Sequence, residues 1–275
     1  MPPQVNWLLT KNWPWGGDPD RCATHPFATP WNRLISMLRA AAPRQGRAAM
    51  YEFDFSFLND YMPDLIHGIW LTIGMTVASI LPGFVLGTAV AVARLRGRPW
   101  VKRIATVYVE AIRNTPLIIQ VFWLFFGLAA LQVHIGPFAA AVIALVINVG
   151  AYTAEIMRAG FQSIPRGQLE AADCLALSPF QSLIQIEVPQ AVERVYPALV
   201  SQFVLMMLAT SIMSQISAEE LTGVAYMIQS FTFRGFEVYL VIAVFYLGLA
   251  SALRFVLMGL AEVSFPRRRR LRTPL

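Results

Sequence analysis

Residues 168–189 read QLEAADCLALSPFQSLIQIEVP, a polar and mildly amphipathic island between two long apolar segments. The chain is 56% hydrophobic, and an interlude of this kind needs a reason. Its spacing predicts two short helices. Ser163 is expected to cap the first, with Pro165 in its opening turn, where a missing N–H costs nothing. Leu169, Ala172, Leu175 and Ala176 recur at helical spacing as an apolar stripe, with Glu170 and Asp173 facing elsewhere. Ser178-Pro179-Phe180-Gln181 is a second start signal, with Ser at the cap, Pro at N1 and Gln at N3 of a capping box. Pro189 is expected to weaken or end that second helix.

Outward from this island, the composition indicates a polytopic membrane protein. The chain has 275 residues, 14% of them charged, and a net charge of +6. Its mean hydropathy is +0.54, too apolar for an ordinary soluble domain. The basic residues flank apolar segments and do not line one polar face, the pattern of membrane topology and not of nucleic-acid binding. Cys22 and Cys174 form no CxxC spacing, so neither a disulfide framework nor a metal site is expected.

Five spans are expected, at about residues 66–93, 104–131, 138–157, 196–216 and 238–260. The first is interrupted by Pro82-Gly83. Its Gly83-x-x-x-Gly87 spacing suits close approach of another helix, or simply a kinked, flexible one. Arg94 to Arg103 is a dense basic turn that belongs in the cytoplasm, which places the preceding acidic residues, Glu52, Asp54, Asp60 and Asp64, outside. In the second segment Pro116 should break the ladder and free carbonyls that need partners. Glu110 and Arg113 lie three apart and could pair. In the third span Asn148, Tyr152 and Glu155 fall on one helical stripe. Polar groups there line a pathway or hold the bundle together by interhelical bonds. The acidic stretch Ser217–Thr222 should be external. The Arg-rich residues 266–275 should anchor a cytoplasmic C-terminus. Residues 1–49 are Pro- and Trp-rich with no spanning run, and Trp31–Ala42 suits a short amphipathic helix. They read either as sequence upstream of a natural start at Met50 or as a surface extension.

Several motifs carry a family resemblance. Glu170-Ala171-Ala172, Ala176, Ile186 and Pro189 resemble the EAA loop of bacterial ABC importer permeases, usually Glu-Ala-Ala-x3-Gly-x9-Ile-x-Leu-Pro. Ala176 replaces Gly and Val188 replaces Leu, both changes conservative in size. Asn148-Val-Gly150-Ala-Tyr152-Thr-Ala-Glu155-Ile resembles the N-x-G-A-Y-x-A-E-I signature of the polar amino acid branch. Glu110-Ala-Ile-Arg113-Asn114-Thr115-Pro116-Leu117 resembles E-x-x-R-G-T-P-L, and the residues from Tyr51 to Phe55 resemble the opening of glutamate/aspartate-type permeases. One element departs from the family. Its Lys-Asp-Thr-Ser-Leu is here Leu208-Ala209-Thr210-Ser211-Ile212, so both charges are gone and the charge of the solute is not fixed.

The resemblance implies an all-α integral membrane protein of the type I importer permease kind, with residues 50–265 as the transmembrane domain. It implies that residues 163–190 form a cytoplasmic coupling helix segment, with Glu170, Ala171, Ala172, Ala176 and Pro189 docking an ABC ATPase subunit. Gln202, Thr210 and Ser211 join Asn148, Tyr152 and Glu155 as pathway candidates. Partners implied are ATPase subunits, a periplasmic solute-binding protein and a second permease, identical or a sibling, in the bacterial inner membrane. The chain has no G-x-x-x-x-G-K-[ST] loop, so ATP is expected on the partner and no cofactor here. No catalytic residue or metal ligand is expected. The alternative, a stand-alone secondary transporter or channel, would need ion-coupling groups near mid-membrane and commonly an internal repeat. An intramembrane enzyme would need a motif such as HExxH or GxSxG, which does not occur.

Overall fold

Helices account for nearly all of residues 53–265, which is what this computed structural model describes. The chain divides at Phe53/Asp54, and the elements below lie in the second unit, Asp54–Leu275. Expectations on residues 1–49, on Glu52 and on the basic tail 266–275 fall outside the described residues.

The first helix, α1, spans Phe57–Arg96, 40 residues, or about 60 Å of rise. It continues through Pro63 and Pro82, so the expected interruption at Pro82-Gly83 does not occur. Thr72 and Thr76 donate to the carbonyls of Gly68 (2.9 Å) and Thr72 (2.7 Å) in the buried face, so these hydroxyls are satisfied within the helix itself. The Gly83/Gly87 spacing does allow close approach, and the partner is the third long helix, α4 (Pro137–Gln162). A Cβ on Gly83 would lie 2.6 Å from Val149, and one on Gly87 would lie 2.6 Å from Thr153 and 2.7 Å from the Gly150 carbonyl.

Between these two helices the second expected segment is not one straight span. It forms α2 (Pro99–Arg113) and α3 (Leu117–Ala130), bent by 106° at Asn114–Pro116. Pro116 lacks an N–H and biases Thr115 away from helical geometry, so the helix ends before it. The carbonyls left at the bend find partners as expected. Gln120 Nε2 donates to Ile112 O (2.8 Å) and Thr115 O (3.0 Å), and Thr115 Oγ1 donates to Ala111 O (2.9 Å). Glu110 and Arg113 do not pair. Glu110 accepts from Asn114 (3.2 Å), and Arg113 turns toward α4 instead.

After α4 come α5 (Arg166–Cys174) and a one-turn α6 (Pro179–Ser182). A π turn at Leu183–Glu187 then leads into α7 (Val188–Ala209), which tightens into a 3₁₀ stretch over Thr210–Ile216. Pro189 therefore does not end a helix. The turn before it widens, Val188 N–H reaching back to Leu183 O, and this irregularity lets the chain carry Pro189 in its next turn. The fourth apolar helix thus runs from Pro179 to Ile216, well before the expected start at Tyr196.

A helix that the sequence reading did not anticipate follows: α8, Leu221–Thr232. Glu220 caps it, accepting from the N–H groups of Thr222 (2.9 Å) and Gly223 (3.0 Å). Glu219 is exposed, but Glu220 is fully buried. Burial pushes its carboxyl up, and the capped N–H groups pull the other way. The last helix, α9, is Gly235–Ser264. Only 6% of its apolar window is buried within the chain, so most of its surface faces outward. Arg234, just before it, forms an ion pair with Asp54 and donates to Asp54 O (3.0 Å). The Ser56 backbone N–H and this guanidinium hold the Asp54 carboxyl below its usual range.

Among the described residues, four helices are long and apolar enough to cross a membrane, and the bent α2–α3 pair makes a fifth if counted as one span. The main core lies where α1, α4 and α7 meet, around Met75, Leu145, Met157 and Leu199. A smaller one joins the start of α1 to α8 and α9 through Leu65, Leu221, Ile228 and Val238.

Candidate functional site

The polar island becomes a braced hairpin between α4 and α7. Its first leg is short because α5 ends at Cys174. The end is a Schellman motif: Leu177 N–H donates to Ala172 O (3.2 Å) and Ala176 N–H to Asp173 O (2.9 Å). Ala176 takes φ +55° there, a conformation that favours glycine. The Ala-for-Gly replacement is thus conservative in size but not in backbone. An Ala176→Gly variant is expected to stabilise this turn by about 1 kcal/mol. Slower amide exchange at residues 172–177 in the assembled protein would register it, and unchanged or faster exchange would refute it.

The ending at Cys174 also breaks the expected stripe. Ala172 is buried and Leu169 half-buried, but Leu175 and Ala176 lie past the helix end and are exposed. Ser163 does not cap α5 either. It closes α4, its hydroxyl donating to Gly160 O (2.6 Å), and Pro165 takes the cap position of α5. The capping box at α6 forms as expected, with Gln181 N donating to Ser178 Oγ (3.3 Å) and Ser178 N to Gln181 Oε1 (2.9 Å).

What holds the hairpin was less visible in sequence. Gly160 of α4 meets Ala191 of α7, a Cβ on it falling 3.0 Å from Ala191 O. The Arg194 guanidinium donates to Ser163 O across the neck. Glu187, in the π turn, is 4% exposed. Its carboxylate pairs with Arg96, the last residue of α1, and accepts from Ser182 Oγ (3.3 Å). The outer surface carries Glu170 and Asp173, both exposed, beside Leu175 (73% exposed) and Phe180 (71% exposed). The exposed side of the hairpin thus carries two carboxylates and two bare apolar side chains.

The three stripe residues of α4 each meet a different element. Asn148 is buried and donates to Gln120 Oε1 of α3 (3.0 Å), while its Oδ1 has no protein partner. Tyr152 sits under the Arg113 guanidinium at 5.5 Å. Glu155 accepts from Arg94 of α1 (2.6 Å), pairs with Arg158 and lies 3.9 Å from Arg113. Among the described residues no hydrogen bond or ion pair joins these to Gln202, Thr210 or Ser211. Gln202 is half-buried on α7. Thr210 and Ser211 donate to their own helix, at Met207 O (2.6 Å) and Leu208 O (2.8 Å). Gln120, which links the bend to Asn148, was not singled out in sequence. Its only signal is a lone amide in an apolar run just after Pro116.

Residues 83–270 match the model of the family described as "Binding-protein-dependent transport system inner membrane component". The chain belongs to that family. A probable amino-acid ABC transporter permease of Sinorhizobium fredii is 35% identical to this permease, covering 76% of the chain and 90% of the relative. The glutamine transport system permease protein of Escherichia coli is 36% identical, with 76% and 96% covered. A solved amino acid ABC transporter, crystallised with histidines, superposes with a TM-score of 0.69 at 34% identity, over 77% of this permease and 99% of that chain. The chain is a permease subunit of an amino-acid ABC importer, as its motifs led one to expect.

Proposed function

We propose that this permease carries a polar amino acid across a bacterial inner membrane, driven by ATP that an ABC ATPase subunit binds and hydrolyses on its behalf. The observation that carries the reading is the braced hairpin. Glu170, Leu175 and Phe180 face outward, while the legs beneath are tied to α1 and α4. A docked ATPase presses on a rigid element and not on a slack loop. Ala171, exposed next to Glu170, joins the docking face, whereas Ala172 and Pro189 shape it from within and behind.

The chain itself supplies no cofactor and no catalysis. A solute-binding protein delivers the amino acid, and a second permease, identical or sibling, completes the pathway. The N-terminal side lies outside and the C-terminus inside. In support, Asp60 and Asp64 sit at the start of α1, and Arg94, Arg96, Arg158 and Arg194 cluster at the hairpin end. The pathway passes Asn148, whose buried Oδ1 is unspent, near Tyr152 and Glu155 and along Gln202, Thr210 and Ser211 of the fourth long helix.

A Glu170→Arg variant tests the docking role. It should insert and fold normally, yet lose the ATPase on mild-detergent pull-down and lose at least about tenfold of uptake. Normal ATPase recovery with normal uptake would sink the assignment.

A further inference from the structure

We propose that the Arg96–Glu187 pair is the joint through which the ATPase-docking hairpin moves α1, and through α1 the outer end of the bundle. The inference rests on the docking role of the hairpin and names the residues that pass its displacement on.

Glu187 occupies the junction between the docking surface and the long helix α7, on the last residue of the π turn. It is almost wholly buried, and among the described residues Arg96 is the only cation paired with it. A buried carboxylate held by one guanidinium is a stiff contact, because separating the two leaves an uncompensated charge. Arg96 is not an isolated surface group. It ends a helix that runs without a break for 40 residues to Phe57. Arg94, two residues earlier, is fixed in turn to Glu155 of α4 at 2.6 Å. A push on the hairpin therefore reaches α1 through Arg96, and α4 through Arg94 in the same last turn.

The first half of α1 is tied as well. Thr72 Oγ1 accepts from Leu221 N (3.2 Å), the first residue of α8. A Cβ on Gly68 would sit 3.0 Å from Leu221 Cα. Those contacts fix α1 to the turn after the 3₁₀ stretch Thr210–Ile216, where the tightened helical geometry makes a natural flexing point. One continuous helix thus bridges the docking hairpin and the region where the fourth long helix gives way to α8. Motion of one end has a mechanical route to the other, with a discrete contact at each end.

The residues act on position and touch no reacting atom, so the test is a coupling ratio. The complete transporter, with ATPase and binding protein, is reconstituted in liposomes carrying Arg96→Glu, Glu187→Arg, or both exchanges together. The ATPase co-purified, the rate of ATP hydrolysis and the solute imported per ATP are measured for each. Each single variant should retain the ATPase and hydrolyse ATP, while solute imported per ATP falls by about tenfold or more. The double exchange, which restores opposite charges, should recover the ratio to within about threefold of the starting protein. A single variant with an unchanged ratio overturns the joint, as does a double exchange no better than the singles. Should a single variant be unfolded, the milder Glu187→Gln decides by the same ratio. Failure of the docking reading looks different: Glu170→Arg would then keep both ATPase binding and uptake, whatever the pair does.

Discussion

A Gly87→Leu variant should yield no stably assembled protein. The Cβ alone would lie 2.6 Å from Thr153 Cβ and 2.7 Å from the Gly150 carbonyl. Neither neighbour can step aside, since one is β-branched on a buried helix face and the other is backbone. Relief requires moving α1 and α4 apart along the seam that also contains Gly83 and Val149. Inside a membrane that seam is held by close packing and not by hydrophobic expulsion from water, so separation forfeits the attraction itself. The expected loss is about 3 kcal/mol or more, seen as loss of the monodisperse peak in detergent size-exclusion and a lowered thermal midpoint. Gly74 supplies the control. A Cβ there meets nothing within 4 Å, so Gly74→Ala should be neutral or slightly stabilising. A Gly87→Leu protein as stable as Gly74→Ala would contradict the packing account.

Almost as large an effect is expected from Glu155→Leu. Three guanidinium groups converge on this single carboxylate, from Arg94, Arg113 and Arg158. They come from α1, α2 and α4, so the carboxylate is the common anchor of three elements. Without it three cations face one another in a partly buried setting. Solvent reaches every member of the cluster, so removing the carboxylate costs less than in a fully buried pair, about 2–3 kcal/mol, most of it from the charge left behind. The melting midpoint should drop sharply, and combining Glu155→Leu with Arg94→Leu should return part of the loss. Equal midpoints for the single and double variants would mean that Arg94 is not part of the cost.

Much of this could be read from residue order, and the reasons for the misses are specific. Apolar runs and flanking arginines located the long helices, and Pro116 located the bend, because these signals are local. The capping box at Ser178 is equally local and appears as read. Glu187 was passed over because its partner lies 91 positions away in sequence, at Arg96. The helix Leu221–Thr232 carries no clear start signal in sequence, because its cap is a glutamate, Glu220, inside a run that reads as an exposed acidic turn. Pro189 suggested a stop, since nothing in a one-dimensional pattern announces a π turn that accommodates it. For the site, the outward face of the hairpin was legible through its motif, while the ties that make it rigid were not.

The bent pair α2–α3 has a consequence for any lipid that borders it. At 14 residues, α3 rises only about 21 Å, against roughly 30 Å for the hydrocarbon core of a bilayer. Trp123 and Phe126 on it are openly exposed, so this wall presents a short apolar band to whatever borders it. Acyl chains meeting that band must compress, and longer chains compress at greater cost. Where lipid and not the second permease borders it, this short wall is the place where bilayer thickness acts on the protein.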